Sequence, residues 1–152
     1  MEIERKFLVK SIPTSLENYK LRIIEQGYLS TIPAIRVRRD NNDFYLTYKS
    51  GDLGLSHEES NLPLNKESYC HLLRKSDGYI ITKKRYEIPH GKYLIELDIF
   101  ENELEGLVIA EVEFPTQEEA LSYLPPEWFG KDVTGNKNYT NSSLSQTGVI
   151  PH

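Results

Sequence analysis

Apolar and polar residues alternate along most of the chain with a period of two, which predicts β-strands. The opening Glu-Ile-Glu-Arg-Lys-Phe of residues 2–7 is typical, because it places charges on one strand face and Ile3 and Phe7 on the other. Turn residues at 40–43, 51–54 and 89–92 predict hairpins. The pattern predicts eight strands, near residues 2–9, 22–29, 34–39, 43–49, 55–62, 79–88, 92–101 and 107–114.

A few short helices are predicted between and after these strands. Asn65 is a suitable N-cap for a helix that runs to about Ser76. Thr116 has capping-box spacing and opens a second helix to about Leu124, which a Pro-Pro pair then ends. A third short helix is predicted near Lys137.

Hairpin-connected strands with few helices predict a mainly β (α+β) fold, an eight-stranded antiparallel β-barrel with covering helices. The chain has 152 residues, of which 38% are hydrophobic, so one domain with a full core is expected. We expect residues 1–145 to form this domain and the polar residues 146–152 to form a disordered tail.

The charged residues on the strands are sorted by sign. Like charges at alternate positions of one strand face repel each other unless an opposite charge bridges them. A surface that serves only solubility usually mixes both signs. The acids at these positions are Glu2, Glu4, Glu96, Asp98, Glu111 and Glu113, and the bases are Arg36, Arg38, Lys83 and Arg85.

Two architectures explain this sorting. In the first, the protein has two layers and the charged strand faces are simply solvated. In the second, the charged faces line a tunnel and the apolar faces pack outward against helices or a partner subunit. Charges removed from water need compensation, so the tunnel would hold divalent cations on its acids and a polyanion on its bases. A linear triphosphate has the required string of anionic oxygens.

The composition argues against several other functions. The net charge is −5, whereas general nucleic-acid binders are more often basic. No apolar run reaches the length of about 20 residues that a membrane helix needs. Cys70 is the single cysteine, which suits a reducing cytoplasmic compartment. The expected partner is therefore a small-molecule triphosphate, with no nucleic acid and no membrane. A homodimer through the outward apolar faces is an open option.

The sequence resembles the triphosphate tunnel metalloenzymes of the CYTH superfamily, and in particular its short bacterial tripolyphosphatase-like members. Glu2 to Lys6 matches the ExExK signature of that family. The match continues in order to about residue 144. Its further segments are Gln26–Leu29, Arg36–Arg38, Thr47–Lys49, Lys83–Tyr86, Ile95–Phe100, Gly106–Phe114, Trp128–Gly130, Asp132–Thr134 and Asn138–Asn141.

The resemblance implies a triphosphate-hydrolysing tunnel that uses Mg²⁺ or Mn²⁺ as its cofactor. It implies Glu2, Glu4 and Glu113 as the main metal ligands. Glu111, Asp98, Glu96 and Glu59 would support a second metal or the attacking water. The carboxylates expected to act in catalysis are Glu2, Glu4, Glu59, Glu111 and Glu113.

The resemblance also implies a set of phosphate-binding side chains. Lys137 is expected to close one end of the tunnel. Tyr28 either has an ordinary packing role in its strand or contacts the substrate. The side chains expected to bind the phosphate groups, here called the clamps, are Lys6, Arg36, Arg38, Lys49, Lys83 and Arg85.

The fifth predicted strand departs from the family pattern. The family usually has Arg-x-Glu-x-Glu there, whereas this chain has His57, Glu59 and Asn61. One guanidinium and one carboxylate are therefore replaced, which weakens the expectation of a second metal.

Hydrolysis of inorganic tripolyphosphate, with nucleoside triphosphates as further substrates, is the leading functional expectation. A class IV-type adenylyl cyclase and a thiamine triphosphatase are alternatives within the family. A polyphosphate-binding module with weakened catalysis is an alternative of another class. Phosphate release from tripolyphosphate separates hydrolase from binder, and product analysis with ATP separates hydrolase from cyclase.

Overall fold

The computed structural model describes residues 2–50 and 56–152. Its helices are α1 (Lys66–Leu73), α2 (Gln117–Ser122) and α3 (Asn141–Thr147). The strands are β1 (Glu2–Val9), β2 (Lys20–Thr31), β3 (Ala34–Asp40), β4 (Asp43–Lys49), β5 (Ser56–His57), β6 (Glu59–Leu64), β7 (Asp77–His90), β8 (Tyr93–Phe100), β9 (Val108–Glu113) and β10 (Phe129–Asp132).

The strands form one antiparallel sheet in the order β10-β1-β9-β8-β7-β2-β3-β4-β6. This path is not closed among the described residues, but β5 stands one residue before β6 and pairs with β1, with His57 opposite Glu2. The β6 side of the sheet is thereby brought next to β1. The expected eight-stranded antiparallel tunnel is confirmed, with β5 and β6 together in the eighth position and β10 added beside β1.

Two of the three predicted hairpin turns lie in the described part of the chain. The β3–β4 turn is the residue pair Asn41-Asn42, and Asn41 has φ 54°, a left-handed conformation that asparagine tolerates. The β7–β8 turn is Gly91-Lys92, because β7 continues through Pro89 and His90. The predicted turn at 51–54 lies outside the described residues.

Strand β10 was not predicted from the pattern of residues. It has four residues, Gly130 interrupts it, and it lacks the alternation that marks the longer strands. Its partner β1 positions it instead, with Val9 opposite Phe129 and Phe7 opposite Asp132. In place of the single strand predicted at 55–62, the chain forms the two strands β5 and β6, which Glu58 separates.

The helices begin at the residues that the capping patterns indicate. Asn65 and Ser68 form a reciprocal capping box at α1, and Thr116 accepts a hydrogen bond from the backbone N–H of Glu119 at α2. Near Lys137 the chain forms a 3₁₀ helix, Lys137–Tyr139, followed by α3. The expected boundary between domain and tail at residue 145 falls inside α3, and Ile150 packs against the core.

The apolar faces of the strands lie mainly outside the tunnel. One cluster joins Phe7, Leu97 and Val112 on the outer face of the sheet to Ala120 of α2. A second cluster, which includes Phe100 and Leu144, packs α3 against one end of the barrel. No helix in the described part of the chain is both long enough and apolar enough to span a membrane.

Candidate active site

The inner faces of the strands surround one cavity of about 670 Å³. Acidic side chains from β1 and β9 face basic side chains from β3 and β4, because alternate residues of each strand point inward. The charged faces therefore line an interior cavity, as the tunnel architecture requires. Of the predicted site residues, the cavity lining contains Glu2, Glu4, Lys6, Tyr28, Arg36, Arg38, Lys49, Glu59, Arg85, Glu96, Glu111, Glu113 and Lys137.

The acidic side of the cavity is built on the pairing of β1 with β9. Glu4 lies directly opposite Glu113, and Lys6 lies opposite Glu111. Burial, with Glu111 nearby, raises the pKa of Glu4 to about 8. Burial also opposes the charge of Glu111, but Lys6 and Arg85 hold its pKa well below the usual range. The Lys6 Nζ is 3.7 Å from Glu111 Oε1.

Burial and neighbouring carboxylates raise the pKa values of two further acids on this side. Burial and then Glu2 raise the pKa of Glu113, and burial and then Glu2 raise that of Glu59. Among the described residues, no three Asp, Glu, His or Cys side chains are gathered closely enough to hold a metal ion in this arrangement. Directly opposed carboxylates with raised pKa values nevertheless fit a hard divalent cation, which would bind their charged forms.

The basic side of the cavity is built on β3. The Arg36 and Arg38 side chains are nearly buried, and neither has a carboxylate oxygen within 4.0 Å among the described residues. Arg38 Nε donates to Gln26 Oε1 at 2.6 Å, whereas Arg36 Nε has no hydrogen-bond partner in the described structure. Burial and then Arg36 lower the pKa of Arg38 to about 10. Two adjacent guanidinium groups with spare donors fit a polyanion.

Lys49 connects the basic side of the cavity to the acidic side. Its Nζ is 3.3 Å from Glu2 Oε1 and 3.6 Å from Glu59 Oε2. These ion pairs cross from β4 to β1 and β6, where the pairing path of the sheet is open. Tyr28 is buried on β2 directly opposite Arg36, so its side chain lies beside the basic group.

Lys83 and Asp98 are not among the residues that line the cavity, although the sequence indicated both as site residues. Lys83 Nζ is fully buried, 2.7 Å from Asp98 Oδ2 and 3.1 Å from Asn141 Oδ1. Burial lowers the pKa of Lys83 to about 7. Burial opposes the charge of Asp98, but Arg85 and then Lys83 lower its pKa. Lys83 and Asp98 therefore lie behind the side chains that line the cavity. Asp98 holds Arg85 in position, because the Arg85 Nε is 2.7 Å from Asp98 Oδ1.

One mouth of the cavity lies between the β2–β3 hairpin and the C-terminal segment. Ile32 of the hairpin and Lys137, Ser142 and Ser143 of the C-terminal segment line it. Lys6 Nζ donates to the Tyr139 backbone carbonyl at 3.1 Å and so ties β1 to this segment. Lys137 thus lines the cavity with these residues, and its role in closing one end stays a prediction.

The substituted fifth strand also contributes to the cavity. Asn61 lines it, accepts a hydrogen bond from Thr47 Oγ1 at 2.6 Å and donates to Glu59 Oε1 at 3.2 Å. The backbone of His57 pairs with Glu2, and its side chain lies outside the described part of the structure.

Among the residues that the sequence analysis did not indicate, two have clear roles in the site. Arg22 lines the cavity and binds carboxylates, and Gln26 orients Arg38. Both lie on the face of β2 that carries Tyr28, so alternation within β2 was the available signal. The fully buried Ile24 lies between them on the same face, so the sequence does not show this face of β2 as a polar one.

The β-sheet curves around opposed acids and two guanidinium groups that have no carboxylate partner in the described structure, and so forms a charged tunnel. The sequence matches the CYTH domain over residues 1–143. The inorganic triphosphatase of Nitrosomonas europaea is 37% identical to it over 150 residues, which covers 95% of this chain and 96% of that protein. The inorganic triphosphatase of Acetivibrio thermocellus is 35% identical over 154 residues, covering 94% and 92%.

A solved crystal structure of an inorganic triphosphatase has the same fold. It superimposes with a TM-score of 0.73 at 32% sequence identity, over 100% of this chain and 97% of that chain. The chain belongs to the CYTH family.

Proposed function

We propose that this protein is a metal-dependent triphosphatase whose preferred substrate is inorganic tripolyphosphate. The observation that carries the proposal is the pair of buried guanidinium groups of Arg36 and Arg38, which have no carboxylate partner in the described structure and face the acids of β1 and β9. The inorganic triphosphatase activity of the relatives supports the same function.

The basic side chains would bind and orient the triphosphate. We assign Arg36 and Arg38 to the oxygens of the central phosphoryl group, because their N–H donors have no carboxylate acceptor in the described structure. Lys6, Lys49 and Arg85 are assigned further contacts, since each lines the cavity while already paired with an acid. Lys137 and Tyr28 would contact the part of the substrate nearest the mouth beside α3.

The acids would hold the cofactor, for which we propose Mg²⁺ or Mn²⁺. Hard cations of this kind prefer carboxylate oxygens and retain several waters. Glu2, Glu4 and Glu113 are assigned as the main ligands. Glu111, Glu96 and Glu59 are assigned to a second metal or to the attacking water, and Asp98 supports them through Arg85.

Bound metal would supply charge neutralisation at the phosphoryl oxygens and an acidified water. Glu4 would have to lose its proton before it binds the cation, and arginine charges would stabilise the phosphoryl group in transfer. Attack of water on the terminal phosphorus forms one P–O bond and breaks the anhydride P–O bond. The products are phosphate and pyrophosphate, and the proton of the water passes to the carboxylate side or to solvent.

Phosphate release from tripolyphosphate, measured with Mg²⁺ and with Mn²⁺, tests this function. We expect turnover in wild type and loss of at least about 100-fold in Glu4→Gln and Glu113→Gln, since removal of a charge-stabilising group typically costs that much. Glu119→Gln, which neutralises an acid bound to Lys92 outside the tunnel, is the matched control and should retain wild-type activity. Wild-type rates in both Glu4→Gln and Glu113→Gln would contradict the assignment of these two residues as metal ligands.

The same assay with ATP separates the alternatives. A hydrolase releases phosphate, whereas a cyclase releases pyrophosphate and a cyclic nucleotide. Binding of tripolyphosphate without phosphate release would identify a binding module instead.

The proposal includes a cytoplasmic location and a homodimer. The free thiol of Cys70 suits a reducing compartment. Leu21 and Ile23 leave apolar surface exposed on the outer face of β2, which a second copy could cover. Light scattering of the purified protein would measure the oligomeric state directly.

A further inference from the structure

The sign of charge changes toward the end of the cavity that lies beside the β3–β4 and β7–β8 turns. The last cavity-lining residues on the inner faces of β3, β2 and β7 are Arg38, Arg22 and Arg85. The next inward position toward this end is Asp40 on β3 and Glu87 on β7, and neither of them lines the cavity. On β3 and β7 the guanidinium groups are therefore followed by carboxylates, whereas on β2 the next inward residue is Lys20, whose Nζ is 3.9 Å from Glu87 Oε1.

Arg22 differs from the other arginines in how its charge is compensated. Its Nε lies 3.1 Å from Asp40 Oδ1 and 3.0 Å from Asp40 Oδ2, and its Nη2 also binds Asp40. Its Nη1 lies 3.1 Å from Glu87 Oε2 and 3.2 Å from Glu96 Oε2. Three carboxylates from three strands thus surround one guanidinium, whereas Arg38 has none among the described residues.

We propose that Arg22, locked by Asp40 and Glu87, sets the phosphate chain length that the tunnel accepts. The inference rests on the proposed triphosphatase function and names a specificity-determining group within it. The carboxylates around Arg22 keep its guanidinium from binding phosphate, so the part of the tunnel that binds the substrate ends at Arg22.

The charge balance explains how such a lock would discriminate between substrates. A linear tetrapolyphosphate extended toward this end would place a further phosphoryl group next to Arg22 and close to its carboxylates. To bind Arg22, that group must compete with oxygens that already accept its N–H groups, and it is repelled by their charges. A triphosphate held by Arg36 and Arg38 avoids this competition.

The test measures kcat/KM for tripolyphosphate and tetrapolyphosphate with Mg²⁺ at one ionic strength. Asp40→Asn and Glu87→Gln, made separately, each release part of Arg22, and we expect each to raise the ratio of tetrapolyphosphate to tripolyphosphate activity. A rise of up to about tenfold corresponds to one charge-assisted hydrogen bond to phosphate. Arg22→Gln leaves the carboxylates without their guanidinium and should lower the ratio instead.

Asp43→Asn is the matched control, because this exposed aspartate lies at the same turn and pairs in register with Asp40. We expect its activity ratio to remain that of wild type. An equal rise in the control would mean that general charge, not release of Arg22, governs the ratio, and would overturn the proposal. An unchanged ratio in folded Asp40→Asn, Glu87→Gln and Arg22→Gln would also overturn it. Absence of tripolyphosphate hydrolysis in wild type would instead refute the underlying function.

Discussion

Arg36 and Arg38 occupy an environment that ordinary folding does not favour. Buried guanidinium groups normally have carboxylate partners, because an uncompensated charge loses hydration without recovering it. Here they stand side by side on β3, and the acids that could pair with them stand across the cavity. Such an arrangement is retained where a bound polyanion completes it, so stability and function compete at these two residues.

The substitution Arg38→Ala should mainly weaken substrate binding. It removes one clamp and leaves the acids of β1 and β9 unchanged, so we expect the Michaelis constant for tripolyphosphate to rise about 10–100-fold with a smaller change in kcat. The control is Arg39→Ala, since Arg39 is the next residue on β3 and its side chain is exposed on the outer face. Equal Michaelis constants for the two variants would contradict the clamp assignment.

Glu4 gives the metal-free protein a pH-dependent stability. Its pKa is about 8 in the folded state, raised by burial and then by Glu111, against a reference value of 4.5. The folded state therefore binds the proton more tightly, and this stabilising contribution is complete below about pH 4.5 and is lost as the pH rises to about 8.

We therefore predict that the melting temperature of the protein in chelator falls more steeply between pH 5 and 8, in round numbers, in wild type than in Glu4→Gln. The glutamine variant lacks the ionisation but retains the shape of the side chain. Thermal unfolding of both proteins across this range measures the difference. Parallel melting curves would place Glu4 in a solvated environment and contradict its raised pKa.

At the scale of elements, the seam between β6 and β1 has the fewest strand pairings of the tunnel among the residues that the structure describes. Lys49 spans it through Glu2 and Glu59, and within the described ranges 2–50 and 56–152 β5 contributes two residues to the pairing with β1. Asn61 faces the cavity from β6 in place of the family's carboxylate. An asparagine oxygen can bind a cation but brings no charge to the site.

Asn61→Glu should lower the concentration of Mg²⁺ or Mn²⁺ that gives half-maximal activity. The added carboxylate lies beside Glu59, whose contact with Asn61 is 3.2 Å, and a cation would bridge the two. Ser60→Glu is the control, because it adds the same charge on the neighbouring, outward-facing position of β6. Metal titrations that coincide for wild type and Asn61→Glu would place β6 outside the working metal site.

The elements show which features alternation can predict. The long strands and their inward charges were predictable, because a period of two is visible over six or more residues. Strand β10 was not, because four residues positioned by pairing with β1 carry no period of their own. The cavity lining was predictable for Arg36 and Glu4, but not the burial of Lys83 behind it, since alternation gives the face of a side chain and not its depth.

At the scale of the whole molecule, one apolar cluster lies on the outer face of the sheet, and the other includes inward-pointing strand residues at one end of the barrel. The larger cluster joins the outer face of β1, β8 and β9 to α2. The smaller joins the end of the barrel to the 3₁₀ helix Lys137–Tyr139 and to α3. The C-terminal segment therefore serves the core and the cavity mouth together, because Ser142 and Ser143 line the mouth while Leu144 is buried.

Leu144→Ala should destabilise the protein by about 2–5 kcal/mol, the range for truncating a buried leucine. Leu144 is 1% exposed and packs in the cluster that holds α3. Loosening α3 also frees Asn141 from Lys83, so tripolyphosphate turnover should fall in parallel. Chemical denaturation and phosphate release measure the two effects. Leu121→Ala, at a leucine of α2 that is 72% exposed, is the control and should change stability by less than about 0.5 kcal/mol. Equal stabilities for the two variants would mean that α3 lies outside the folded core and that the domain ends before it, whereas the expected difference would make α3 a part of that core.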